Sequence, residues 1–197
     1  MKARTETRGT SEDRFVELCS SIRRQGADKL FEWLATTDFF SAPASSRYHG
    51  SYAGGLIQHS LNVYDEFTRL LTLYPNIAEK MRDEDTPKII TLFHDLCKVN
   101  FYATEKRNRK NEHGQWESYD AYTVNEKFKY GGHGSKSVFI VQTFMKLYPE
   151  EAVAINCHMG AFGADAQSVG SAFEAFPLAW LLHVADESAT YILESEG

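Results

Sequence analysis

The chain of 197 residues is long enough for one domain with a substantial core. Its make-up, 43% hydrophobic and 24% charged residues, is that of a globular protein and not of a disordered or fibrous one. A formal net charge of -6 argues against a nonspecific nucleic-acid binder, which needs a basic stripe to neutralise phosphates. It leaves room for a nucleotide held by a metal and a few local cations.

Cys19, Cys97 and Cys157 are far apart and form no CxxC pair, which fits a reducing, cytoplasmic compartment. The opening MKARTETRGTSEDRF has charges but no apolar core and does not read as a signal peptide. No apolar run reaches spanning length, so no membrane association is expected.

In chain order, residues 1–11 read as a flexible tail, and residues 12–197 as one helical domain. Ser11-Glu12-Asp13 looks like a helix start, with Phe15, Leu18 and Ile22 on one stripe. A short helix follows through Asp28–Leu34, then a loop rich in Ser, Gly and Pro, FFSAPASSRYHGSYAGG. Gly54-Gly55 opens a strong helix, LIQHSLNVYDEFTRLLTLY, ended by Pro75, with His59 in its first turns. Pro87 suits the first turn of the next helix, KIITLFHDLCKV, whose second half carries His94-Asp95.

Residues 99–131 are polar with interspersed aromatics. They read as a β-hairpin or extended excursion turning near Glu112-His113-Gly114. Helical patterning resumes at Ser135 and runs to Leu147, with His133 at its start. Another helix, EEAVAINCHMG, ends at Gly160. Glycines and polar residues fill 160–171, and a last helix, PLAWLLHVADESATYILE, carries Asp186. The expectation is an all-α bundle of about six or seven helices with a hairpin excursion.

His59, His94, Asp95, His133, His158 and Asp186 all sit in or beside apolar segments, where a polar group needs a reason to be. Taken singly, each has an ordinary explanation: a packed helix residue, a helix C-terminal cap, a loop histidine. Taken together they suit a metal site, because imidazole and carboxylate are donors for divalent metals. His59, His94, Asp95 and Asp186 would hold one ion. His133 and His158 would serve a second, with Asp95 as the bridge, since a carboxylate has two oxygens to share. Two such ions would polarise a phosphoryl oxygen and lower the pKa of a shared water.

Lys98 stands beside the pair and is assigned both a catalytic and a phosphate-holding role. Lys136, at a helix start, is a further anion contact. Arg107 and Arg109, in the cluster Lys106–Lys110, are expected to border the site mouth, with Arg47 and His49 as additional substrate contacts. Tyr102, Trp116, Tyr119 and Tyr122 are candidates to stack on a base or to anchor the hairpin. His183 reads as a supporting or core residue and His113 as exposed. Cys97 reads as apolar packing near the site, and Cys157 lacks an obvious base.

The order His59 … His94-Asp95 … Asp186, with the contexts GGLIQHS, FHDLCK and HVAD, resembles the HD-domain superfamily of metal-dependent phosphohydrolases. GGHGSKS at His133 and AINCHMG at His158 resemble the extra histidines of its six-ligand, two-metal branch. The similarity spans roughly residues 43–194. It implies a helical HD-domain bundle that binds one or two divalent ions (Mn, Fe, Mg, Ni, Co or Zn) and hydrolyses a phosphate ester, with a nucleotide as the small phosphorylated substrate. The segment YHGSYAGGLIQHS is also similar to the HD domain of bacterial 3′–5′ exoribonucleases. Those proteins carry a separate nucleic-acid-binding domain that is not expected in these 197 residues, so the RNA activity is not carried over; nucleic acid is not the expected partner, with a short oligonucleotide as the exception. Cys157-His158 departs from the paired histidines of many two-metal members. The same ligand set also suits a di-iron oxygenase, and a non-catalytic nucleotide sensor would keep the metal for structure alone.

Overall fold

The computed structural model describes residues 7–79, 81–129, 131–163 and 166–195. Over them run α1 (Thr7–Ser20), α2 (Ala27–Ala35), α3 (Gly55–Leu73), α4 (Pro75–Ala78) and α5 (Thr86–Leu92). A hairpin of β1 (Tyr102–Lys110) and β2 (Trp116–Val124) follows, and then α6 (His133–Phe144), α7 (Pro149–Cys157), α8 (Ala166–Ala175) and α9 (Pro177–Ser188). The chain is thus mostly helical, with one two-stranded antiparallel sheet among the described residues. None of the helices is long and apolar enough to cross a membrane.

The core grows from the helical stripes. On α3 the buried residues include Leu56, His59, Val63, Phe67 and Leu70, spaced three or four apart on one face. That face packs on α5 and α9, and α7 packs on α9 and α6. Phe15, Leu30, Leu34, Phe67, Ile89, Ile90 and Leu181 are fully buried in one continuous cluster. Two polar links tie this core to the chain's turns. The carboxylate of the buried Glu151 accepts from Arg24 at 2.6 Å, from the Thr86 hydroxyl at 2.6 Å and from the Tyr148 amide at 2.8 Å. Asp38 accepts from the amide of Asn100 at 2.6 Å, and so holds Asn100 in a left-handed conformation (φ 55°) where the chain leaves the core for the hairpin.

Several boundaries differ from those expected. α1 begins at Thr7, not Ser11, because nothing in Arg8-Gly9-Thr10 stops an established helix from extending; residues 1–6 of the expected tail lie outside the described residues. α6 ends at Phe144, since Met145 is extended. α8 occupies part of a stretch read as loop. Its three alanines and Phe173 outweigh Gly170, which costs a helix only about 1 kcal/mol. With the one-turn α4, this makes nine α-helices among the described residues. α9 gives way after Ser188 to a π-helical turn, Ala189–Leu193.

The most consequential difference is at His94-Asp95. α5 stops at Leu92, and the pair lies in the turn before a 3-10 helix, Leu96–Lys98. The helix stops because Phe93 leaves helical geometry (φ −119°, ψ 5°) and the His94 ring donates to the Thr91 carbonyl at 2.7 Å, a bond a continued helix would make with an amide.

Candidate metal centre

His59, His94 and His158 are each aimed by a hydrogen bond to the ring nitrogen facing away from the centre. His94 Nδ1 donates to the Thr91 carbonyl and His158 Nδ1 to the Ile155 carbonyl at 2.6 Å. A carbonyl can only accept, so in the neutral rings both Nε2 atoms carry lone pairs. His59 Nδ1 faces Glu194 at 3.1 Å, and Asn62 donates to the same carboxylate at 2.8 Å. His183 donates to the His158 carbonyl at 2.7 Å and packs under Gly160, where a Cβ would lie 2.7 Å from the ring. Gly134 allows α6 and α7 to approach, since a Cβ there would lie 2.2 Å from the Asn156 carbonyl oxygen. That approach brings the two ends bearing His133 and His158 to the same carboxylate, Asp95.

The inward atoms converge. His59 Nε2 lies 3.1 Å from Asp186 Oδ1, 3.3 Å from His94 Nε2 and 3.6 Å from Asp95 Oδ2. His94 Nε2 is 3.5 Å from Asp95 Oδ2 and 3.9 Å from Asp186 Oδ1. Two donors each about 2.1 Å from one ion are separated by about 3.0–3.4 Å. These spacings therefore match the edges of a coordination polyhedron. The other carboxylate oxygen, Asp95 Oδ1, lies 3.6 Å from His158 Nε2. That nitrogen is buried and is left without a hydrogen-bond partner. A group of this kind is costly unless something occupies the space it faces. The donor chemistry and this unsatisfied nitrogen both fit a metal ion, and the buried His, Asp and Cys groups here could hold one.

Of the six proposed ligands, His59, His94, Asp95, His158 and Asp186 are buried and close together. His133 is more exposed; its Nδ1 faces Cys97 Sγ at 3.3 Å, with Asp95 near both. Cys97 is thus a neighbour of the acidic group and not mere apolar packing. Lys98 is buried, with its ammonium 2.6 Å from Asp95 Oδ2.

The field of the site follows from these contacts. Burial disfavours a charged His59, but hydrogen bonds to Asp186 and Glu194 outweigh it and raise its pKa to about 10. Burial holds His94 neutral, with a pKa of about 4. For Asp95 burial works in the opposite direction, yet the Lys98 charge and neighbouring imidazoles hold it well below the carboxylate range. Asp186 is lowered in the same manner, against burial, by His59.

A cleft of about 1560 Å³ opens over Asp95 and Asp186. Arg47, His49, Lys98, Tyr102 and His133 line it, with Glu194 and Asn62. Three expected substrate contacts are not on it. Lys136 is buried away from the cleft, donating to the Phe128 carbonyl at 2.8 Å above the Phe101 ring. Arg107 and Arg109 sit toward the exposed tip of the hairpin, paired with Glu105 and Glu117. Arg109 covers Tyr119, and Trp116 is exposed beside Lys110, so neither ring reaches the cleft; Tyr122 lies in a shallow groove behind Tyr102. The aromatics around the mouth are instead Tyr48, Tyr52, Phe162 and Tyr191, exposed by 79%, 40%, 80% and 64%.

Glu194 is the participant that patterning overlooked. In an unbroken α-helix it would stand about 80° round from Asp186. The π turn, closed by the Glu194 amide on the Ala189 carbonyl at 3.0 Å, adds a residue and returns it toward the same side. Searches for similar proteins gave no matching family model, no matching curated protein and no matching solved structure.

Proposed function

We propose that the protein is a metal-dependent phosphohydrolase of the HD-domain type, acting on a phosphate ester of a nucleotide. The observation that carries this reading is the convergence of three imidazoles and two carboxylates, from four separate segments, on one buried point. The order of those residues in the chain is the one the HD resemblance implies.

His59, His94, Asp186 and Asp95 Oδ2 would hold the first ion, and Asp95 Oδ1 with His158 would face a second. A bound divalent ion would lower the pKa of water and stabilise charge developing on a phosphoryl oxygen. The remaining work falls to the chain. Glu194 keeps His59 oriented, and Asn62 keeps Glu194 in place. Lys98 and Arg47 supply positive charge to the substrate's phosphate where the cleft meets the carboxylates. Burial lowers the pKa of His49, which lines the cleft and so offers a lone pair able to accept a proton there. The exposed aromatics at the mouth support a nucleotide over a simple phosphate, because stacking a base on such a ring contributes about 1–3 kcal/mol.

The test is phosphate release by the metal-loaded protein from nucleoside mono- and triphosphates, cyclic dinucleotides, short oligonucleotides and an aryl phosphate, with Asp95→Ala as control. Metal-dependent turnover of one class, lost in the variant, is expected. Folded, metal-loaded protein that turns over none of them would sink the reading.

A further inference from the structure

Resting on the metal-centre reading above, we infer that Cys97 is a metal ligand, so that the second ion sits in a mixed N/O/S site selective for thiophilic metals. Asp95 divides its oxygens between two unlike surroundings. Oδ2 faces His59, His94 and Lys98. Oδ1 faces Cys97 Sγ at 3.7 Å and His158 Nε2 at 3.6 Å, and Cys97 Sγ lies 3.3 Å from His133 Nδ1.

A zinc ion about 2.3 Å from sulfur and about 2.1 Å from nitrogen or oxygen sets those donors about 3.5 Å apart. The Asp95–Cys97 and Cys97–His133 spacings, 3.7 and 3.3 Å, are those of donors sharing one tetrahedral ion. On its other side the same Oδ1 lies 3.6 Å from His158 Nε2, a fully buried nitrogen without a hydrogen-bond partner that lies with His94 and not with Cys97.

Cys97 is also held in position. Its amide donates to Ser137 Oγ at 3.0 Å, which ties the 3-10 turn to α6, the helix that begins with His133. The sulfur is buried and faces inward, unlike a thiol kept for exchange chemistry. On binding, the thiol proton passes to solvent as the metal–sulfur bond forms, with no change of oxidation state. Sulfur favours zinc or cobalt here over magnesium or manganese, while the His59–His94–Asp186 side offers only nitrogen and oxygen. The two halves of the centre would therefore differ in metal preference.

Cobalt(II) titration of the full chain under reducing conditions tests this. A near-ultraviolet thiolate-to-cobalt charge-transfer band is expected, unchanged by excess magnesium. Cys97→Ser should abolish the band and weaken zinc binding at one site at least about tenfold. Cys19→Ser and Cys157→Ser should keep it, and His133→Ala should shift or weaken it. If Cys97→Ser does not fold, the wild-type band and its persistence in the other two cysteine variants still decide the matter. Cobalt bound with an N/O spectrum and no such band would overturn the thiolate ligand while leaving the metal centre standing. A band that survives in Cys97→Ser would also overturn it. No cobalt bound by folded protein would overturn both.

Discussion

Glu194 touches the centre only through another residue, so removing it separates orientation from ligation. Its carboxylate accepts from His59 Nδ1 at 3.1 Å and from Asn62 at 2.8 Å. Glu194→Gln keeps an acceptor oxygen near His59 but loses the charge that makes Nε2 a stronger donor. Glu194→Ala loses both and frees the ring. Replacing the partner of a metal-bound histidine typically lowers affinity by about 10- to 100-fold, or about 1.4–2.7 kcal/mol. Gln should fall at the low end and Ala at the high end, with Asn62→Ala between wild type and Glu194→Ala. Competition for zinc against a chromophoric chelator measures all three, and the metal-free thermal midpoint controls for folding. If Glu194→Ala binds zinc as tightly as wild type while His59→Ala does not, Glu194 does not orient the ligand, and the π turn needs another explanation.

Metal uptake should depend on pH through His59, whose pKa of about 10 means that an ion binding there displaces a proton. Apparent affinity should therefore rise about tenfold per pH unit from 6 to 9, measured by chelator competition in matched buffers; a flat profile would contradict the protonated His59. The metal-free protein should show the reverse trend. A histidine raised from 6.5 stabilises fully below 6.5, and that contribution is lost as pH rises through 10. Glu151→Ala leaves the buried Arg24 with Asp83 alone and strands the Thr86 hydroxyl, and should cost about 3 kcal/mol by urea denaturation; a loss under about 1 kcal/mol would show that Asp83 and water take over its role. Arg107→Ser with Arg109→Ser should leave KM for a nucleotide within about twofold, because both are exposed, paired and off the cleft. A large KM increase that salt erases would place the hairpin tip over the substrate.

What was legible in the sequence was whatever follows helical period. His59 falls between Leu56 and Val63 on the buried face of α3, and Asp186 lies four residues after Leu182 on that of α9. Period alone puts both side chains inside. The hairpin and its turn were legible from Gly114 and the polar-aromatic alternation, and the turn does centre on Asn111–Gln115. Reach was not legible. Arg107 is five strand residues beyond Tyr102, about 17 Å along an extended chain, which takes it past the cleft that Tyr102 lines. Glu194 was hidden because an α-helical projection turns it away and a π turn has no compositional signature. α8 was hidden because its glycine and serine read as loop.

The break at Phe93 explains how adjacent residues can serve one point. On a continuous helix the side chains of His94 and Asp95 would diverge by about 100° and could not both meet His59. In the turn, His94 Nε2 and Asp95 Oδ2 come within 3.5 Å of each other and within 3.6 Å of His59 Nε2. The 3-10 turn that follows nearly eclipses residues three apart, which sets Lys98 against Asp95. Without metal, the carboxylates are balanced by two local cations, the ammonium of Lys98 and the imidazolium of His59. These stand-ins are not equivalent. His59 can release its proton and become a ligand; Lys98 keeps its charge, since burial disfavours that charge but Asp95 restores and strengthens it. Loading the centre would therefore consume the first cation and leave the second beside the cleft. A phosphate arriving there would meet a charge that the fold already holds in place.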